Sequence, residues 1–331
     1  MRHRIDCAKV ILNRDDLIVR KGFKMIAWKY SDAKLCGLLP ELAEDANKYT
    51  RGKVTLVAGC SRYPGAAALA GLASQRMGAG YTEVICSPKS VNAVRVVSPS
   101  LVVRSWKGLS SGDFPSAKAG HPSAYVLGPG FDAASESCEK LTFTVLESAC
   151  SPLVVDGGAL AFLATKRGRK LLRERFEAGR RTIVTPHAGE AARLATPFGF
   201  PTDDASELAR LISLAYGVTA LVKGPKSFIS DGETVAVMDE GTPALAKAGT
   251  GDVLAGMVGA LLAQGLDPFD ACVLAATLHA RTGRLAASEL SQRCVVAEDL
   301  PRYLPLVIRE FETARNQMSR QEMHLRYSTS E

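Results

Sequence analysis

The chain has 331 residues, enough for one large α/β domain or two small ones, with 47% hydrophobic and 23% charged residues and a mean hydropathy of +0.04. That is the composition of an ordinary soluble globule. The net charge of +7 is modest and much of it sits in Lys166 to Arg181, where Glu174 and Glu177 interleave. This stretch reads as a solvated helix face, so nucleic acid is not an expected partner.

Residues 1–40 are mixed and motif-poor and read as an N-terminal extension or edge element. They lack the apolar core and cleavage site of a signal peptide. From Lys53 onward, short β-branched runs alternate with Ala/Leu-rich helical stretches. Strands are expected at Val54–Ala58, Tyr81–Cys86, Ala124–Leu127, Leu153–Asp156, Thr182–Thr185 and Ala220–Lys223, with a hairpin of Phe228–Ser230 and Thr234–Met238 about Asp231-Gly232. Helices are expected at Ala66–Met77, Ser135–Ala149, Gly168–Ala178, Ala205–Tyr216, Asp252–Ala263, Pro268–Leu290 and Glu298–Phe311. A polar tail, 313–331, is expected to fray. The alternation predicts an α/β fold, a doubly wound and mainly parallel sheet with helices on both faces. The apolar helix Val253 to Ala263 is too short to span a bilayer, so no membrane is expected. The eight cysteines form no C-x-x-C pair and read as buried, reduced thiols of a cytoplasmic protein.

In such a sheet, ligands bind beyond the carboxyl ends of the strands. The conspicuous Gly, Pro, Asp and His residues fall there: Gly59 to Gly65, Gly128 to Gly130, Asp156, Thr185 to Glu190, and Lys223-Gly224. The segment Ala248 to Gly256 sets a glycine turn, Gly249-Thr250-Gly251, and one carboxylate, Asp252, at the start of an apolar helix. Helix N-terminal N–H groups hold a phosphoryl group, and Asp252 beside them could accept a proton from a substrate hydroxyl. Asp252 as a simple cap is the alternative. Lys223-Gly224-Pro225-Lys226-Ser227 ends a strand with a cation and a turn, either a nucleotide contact or a surface hairpin. His187 is either a ligand donor or a structural residue at a helix start, with Glu190 in the first turn. No Walker A, G-x-S-x-G or H-E-x-x-H sequence occurs.

Taken together and in order, these stretches over about residues 40–310 resemble the ADP/ATP-dependent NAD(P)H-hydrate dehydratases, carbohydrate-kinase-like repair enzymes of the ribokinase superfamily. The matching segments are Ala58 to Ala66, Arg76 to Gly80, Leu127 to Gly130, Val154 to Asp156, Thr185 to Leu194, Val222 to Gly224, Ala248 to Gly256 and Leu261 to Gly265. The resemblance implies a ribokinase-like domain over 41–312 that dehydrates (6S)-NAD(P)H hydrate back to NAD(P)H. ADP or ATP phosphorylates the ring hydroxyl and phosphate is then eliminated. It implies Asp252 as catalytic base. Ala66, Gly130, His187 and Asp252 would contact the hydrated dinucleotide. Lys223, Gly224, Pro225, Lys226, Ser227 and Gly251 match the adenine-nucleotide site, with Gly249 and Thr250 in the same phosphate turn. Mg²⁺ is implied without a direct protein ligand, Glu190 reaching it through water. A homo-oligomer, in many members a tetramer, and a separate epimerase are also implied.

Three positions depart from the family pattern. Ala58 stands for a second Gly, Gly158 for a second Asp, and Thr242-Pro243-Ala244 for Asn-Pro-Gly. A vitamin-precursor kinase of the same superfamily is the alternative reading, and such kinases tend to carry Asn where His187 stands. A non-catalytic nucleotide sensor is the third reading, against which the presence of Asp252 weighs.

Overall fold

The computed structural model describes residues 27–115 and 117–328. Residues 1–26, including Cys7, and residues 329–331 lie outside the described residues. In chain order the elements are α1 (Asp32–Leu38), β1 (Lys53–Val57), α2 (Pro64–Arg76), β2 (Tyr81–Cys86), α3 (Val91–Arg95), β3 (Val102–Ser105), β4 (Ser123–Leu127), α4 (Glu136–Ser148), β5 (Leu153–Val155) and α5 (Ala159–Leu163). There follow α6 (Lys166–Glu177), β6 (Thr182–Val184), α7 (Ala188–Ala195), α8 (Ala205–Tyr216), β7 (Thr219–Val222), β8 (Ser227–Ser230), β9 (Val235–Met238), α9 (Thr250–Ala263), α10 (Pro268–Leu290) and α11 (Leu300–Ser328).

The strands form one nine-stranded sheet in the order β3-β2-β1-β4-β5-β6-β7-β8-β9. Every pairing from β3 across to β7 is parallel, and β8 and β9 are antiparallel. The physical reason is connection length. A parallel crossover needs a dozen or more residues, and only 223–226 separate β7 from β8, so the chain must turn back. The parallel strands are buried on both faces, which is why they read as continuous apolar runs. One core lies under α1, α2, α9, α10 and α11, and the other under α4 to α8.

Helix α9 is the interior helix of the first core. Its residues from Val253 to Ala263 are all buried. It packs on α2 at Gly256, where a Cβ would fall 2.1 Å from the Ala70 carbonyl oxygen. A buried helix carries no amphipathic stripe, which accounts for the all-round apolar sequence.

Five elements differ from the sequence reading. Strand β3 is not among the expected strands, because it is an edge strand with Val102 exposed and carries the polar Arg104-Ser105. Helices α1, α3 and α5 are also additional, and each has at most seven residues, too few to show a period. Helix α11 continues past Phe311 and the expected start of the tail to Ser328. Ala314 and Met318 pack on the core, and Arg315 Nη1 donates to the Leu39 carbonyl at 2.8 Å, giving this polar stretch a surface to hold. Residues 27–40 belong to the same body. Trp28 bridges Ala236 alongside β9, the Tyr30 hydroxyl donates to Asp270 Oδ1 at 2.7 Å, and Leu35 and Cys36 are buried. The seven described cysteines are free, but Cys150 and Cys294 are exposed, against the expectation of burial. Both lie in polar connections after helices rather than in strands. Among the described residues no helix is long and apolar enough to cross a membrane.

Candidate active site

Strands β1, β4, β5, β6 and β7 are consecutive neighbours in the sheet, so their carboxyl ends form one continuous rim. The segments that follow them are the conspicuous ones: Gly59 to Gly65, Gly128 to Gly130, Asp156, Thr185 to Glu190, and Lys223. The chain reverses direction of winding between β1 and β4, which makes this pair the topological switch point. Two backbone bonds join the β1 and β4 segments there, Gly59 N–H to the Pro129 carbonyl at 2.8 Å and Cys60 N–H to the Gly130 carbonyl at 2.9 Å. Gly130 has φ 68°, and a Cβ on it would fall 2.7 Å from the Cβ of Ala66. Ala66 and Gly130, 64 positions apart in number, therefore touch across the start of α2.

The electrostatic centre is Lys223. Its ammonium is 2.7 Å from Asp156 Oδ1, with side-chain exposures of 19% and 3%. Asp156 Oδ1 also accepts from the Thr185 hydroxyl at 2.6 Å. Burial opposes the charge on Lys223, but Asp156, Glu190 and Asp252 around it prevail and raise its pKa. The backbone is fixed as well, since Lys223 N–H donates to the Pro186 carbonyl at 2.8 Å. Sequence reasoning placed Asp156 at a strand end without assigning it a role. The ion pair joins residues 67 positions apart, which only the sheet brings together.

Asp252 lies in the first turn of α9. Burial, then the neighbouring Asp156 and Glu190 charges, push its carboxyl up to about 7, with Lys223 pulling the other way. Glu190 is also raised, by burial first, while Lys223 and the His187 N–H oppose. A carboxyl titrating near neutrality is suited to accepting a proton.

The turn before Asp252 is built to present backbone. Gly249 is the N-cap residue at φ 92°, a conformation that costs L side chains dearly, and no side chain caps the helix. By helix geometry the N–H groups of Gly251 and Asp252 have no intrahelical acceptor. A Cβ on Gly251 would fall 3.3 Å from Lys223 Nζ, so the ammonium sits beside that helix end. Thr250 is different: its hydroxyl donates to the Leu245 and Lys247 carbonyls at 2.8 and 2.9 Å and braces the turn from inside. Gly224, Pro225 and Lys226 form an exposed turn, whereas Ser227 is buried in β8.

Of the two readings of His187, the structure shows the one at the helix start. Its Nδ1 accepts from Gly189 N–H at 3.0 Å and caps α7, while Glu190 Oε2 accepts from His187 N–H at 2.9 Å. With Nδ1 as acceptor, the neutral ring carries its proton on Nε2. That side chain is 63% exposed, and its Nε2 lies 3.6 Å from Glu190 Oε2.

One residue of the site has no sequence signal. His279 in α10 is buried, and its Nε2 is 2.9 Å from the Thr250 carbonyl. Burial lowers its pKa to about 4, so the ring is neutral and Nε2–H donates to the first turn of α9. A lone histidine inside a long helix reads as core.

The NAD(P)H-hydrate dehydratase family profile matches residues 54–306. The chain belongs to the NAD(P)H-hydrate dehydratase family. It is 32% identical over 287 residues to the ADP-dependent (S)-NAD(P)H-hydrate dehydratase of Cenarchaeum symbiosum, covering 83% of this chain and 94% of that one. Against the bifunctional NAD(P)H-hydrate repair enzyme of Vibrio cholerae it is 31% identical, covering 80% of this chain and 51% of the relative. Among solved structures it is similar to the ADP/ATP-dependent NAD(P)H-hydrate dehydratase of Bacillus subtilis co-crystallised with ATP and Mg²⁺. That match has a TM-score of 0.74 and 29% identity, with 87% of this chain and all of that one covered.

Two departures from the family pattern have local reasons. A Cβ at Gly158 would fall 2.2 Å from the Phe131 carbonyl oxygen, so this backbone excludes any side chain there. Thr242-Pro243-Ala244 forms a capped 3-10 turn, in which the Thr242 hydroxyl oxygen accepts from Ala244 N–H and from Gln292 Nε2. Ala58 is buried directly after β1, and nothing in the structure distinguishes it from glycine. Among the described residues no cluster of three metal-ligating side chains exists. A Mg²⁺ that arrives with phosphates and keeps most of its waters needs no such cluster, and the Glu190 side chain is only 13% exposed.

Proposed function

We propose that this chain is an ADP- or ATP-dependent (S)-NAD(P)H-hydrate dehydratase that restores NAD(P)H from its hydrate. The observation that carries the assignment of roles is Asp252. It lies at the uncapped N-terminus of α9, with a carboxyl that titrates near 7 and Lys223 beside the same helix end.

Hydroxide is a poor leaving group and phosphate a good one. In the proposed reaction Asp252 takes the proton from the ring hydroxyl as the hydroxyl oxygen attacks the terminal phosphorus of the nucleotide, whose bridging P–O bond breaks so that the nucleotide leaves one phosphate shorter. The N–H groups of Gly251 and Asp252 and the Lys223 ammonium stabilise the transferring phosphoryl group. The C–O bond then breaks, phosphate leaves with the electron pair, and loss of a proton from the ring completes the dehydration. Mg²⁺, when bound, neutralises phosphate charge, and Glu190 would hold its waters. Ala66 and Gly130, packed together at the switch point, would present a small side chain and bare backbone to the dinucleotide, and His187 would donate to it. Gly224, Pro225, Lys226 and Ser227 lie along the adenine-nucleotide side, with Gly249 and Thr250 shaping the phosphate turn. We assign the dehydration step alone to the 41–312 region, in a homo-oligomer of the cytoplasm. The free thiols support a reducing compartment.

The test is absorbance at 340 nm with hydrated NADH, Mg²⁺ and either ADP or ATP. A rise dependent on nucleotide is expected, and the faster donor identifies the physiological one. No rise with either, together with phosphorylation of a vitamin precursor to a stable product, would replace this reading with that of a kinase.

A further inference from the structure

The amino-end face of the sheet, opposite the catalytic rim, carries a groove of about 610 Å³. Its walls come from the segment entering β1 (Asn47, Lys48, Arg51), the C-terminal turn of α2 (Gln75, Arg76) and the segment before β3 (Ser98, Ser100). Helix α2 starts at the Ala66–Gly130 contact and ends here. Its 13 residues put the groove about 20 Å from the catalytic end.

The lining contains three cations and no carboxylate. Glu44 and Asp45, the nearest acidic residues along the chain, are exposed and outside the lining. None of the three cations is neutralised by an ion pair among the described residues. Arg51 Nη2 donates to the Gly78 carbonyl at 3.2 Å, and its buried Nε–H has no acceptor. Lys48 lies 5.0 Å over the Tyr49 ring. Arg76 stands exposed at the end of α2. The opposite wall is a row of hydrogen-bonding groups already held in place, Gln75 Nε2 to Ser100 Oγ at 3.0 Å and Ser100 Oγ to Ser98 Oγ at 2.9 Å. Guanidinium groups and hydroxyls at a concave surface recognise phosphate oxygens, and the volume suits a ligand of nucleotide size.

We propose that this groove is a second anion site, which binds a phosphate-bearing small molecule independently of catalysis. Removing two of its cations weakens the bound anion about tenfold, because such half-exposed pairs contribute individually little. The binding is strongly salt-dependent for the same reason.

The test is calorimetric titration of inorganic pyrophosphate into the full chain without Mg²⁺. Two classes of site are expected. One is weakened about tenfold in Lys48→Gln/Arg76→Gln and further by raising salt to about 0.5 M, yet is unchanged in Lys223→Gln. The other is lost in Lys223→Gln. A titration that Lys48→Gln/Arg76→Gln leaves unchanged overturns the proposal, as does a single class of site removed by Lys223→Gln alone. Both substituted side chains are exposed, and thermal melting establishes that the variant is folded. Arg51→Gln, in the more buried wall, supplies a third measurement that must fall in the same direction.

Discussion

Replacing Asp252 by Asn tests the site from two sides at once. The amide keeps the shape of the carboxyl and cannot ionise. In the wild type, burial and the Asp156 and Glu190 charges raise this group from 3.8 to about 7. A raised folded pKa means that the folded state holds the proton more tightly than the unfolded chain. Its contribution to stability is therefore full below about pH 3.8 and is lost as the pH rises through about 7. At 1.36 kcal/mol per pH unit the ionised group costs at most about 4 kcal/mol at pH 8. Partial solvent contact and the response of Lys223 reduce this to about 2 kcal/mol. Asp252→Asn should thus melt about 3 °C higher than the wild type at pH 8, with the difference shrinking toward pH 4. Dehydration should fall by about two orders of magnitude or more, the usual effect of losing a general base. In the wild type kcat/KM should rise with pH through about 7. Scanning calorimetry at several pH values and the 340 nm assay measure both quantities. Near-normal turnover, or a variant less stable than the wild type at pH 8, would refute the reasoning that one strained carboxyl is kept for chemistry.

Lys223→Ala should weaken apparent nucleotide affinity more than dinucleotide affinity, and it should also destabilise the fold by about 3 kcal/mol because Asp156 is left buried without its cation. Asp156→Asn in the same chain should restore part of that stability, which a double-mutant cycle in denaturant would show. His279→Gln should lower kcat more than it raises KM, since the ring acts through the Thr250 carbonyl and not on substrate. Its folded pKa of about 4 lies below the ordinary 6.5, so its contribution is present above pH 6.5 and lost as the pH falls toward 4. That slope opposes the one from Asp252, and His279→Gln should steepen the net gain in stability on acidification from pH 6.5. Gly249→Ala should cost about 1–3 kcal/mol for an alanine held at positive φ. Its Cβ would also meet Leu69 and Ala297 at 2.7 and 2.8 Å, so the phosphate turn should shift and turnover should drop, as melting and kinetics on the same sample would report.

Much of this protein was legible from local pattern. Strand runs bounded by glycine and proline, and helices with a long period, record backbone preferences and burial within a dozen residues. Tyr81–Cys86, Ala205–Tyr216 and Pro268–Leu290 therefore coincide with the structure at both ends. The rule that ligands gather beyond strand ends turned Gly128 to Gly130, His187 and Lys223 into candidates without any coordinates, and the glycine turn at the start of an apolar helix did the same for Asp252. The short edge strand at Val102–Ser105 carried no such pattern, since one side faces water and its neighbours are polar. What the tertiary structure decided was partnership and ionisation. Asp156 and Lys223, and likewise His279 and Thr250, meet only because the sheet order and the α9–α10 packing bring them together. The proton affinity of Asp252 follows from the same cause, since desolvation and neighbouring charge belong to the folded surroundings of a residue and not to its place in the chain.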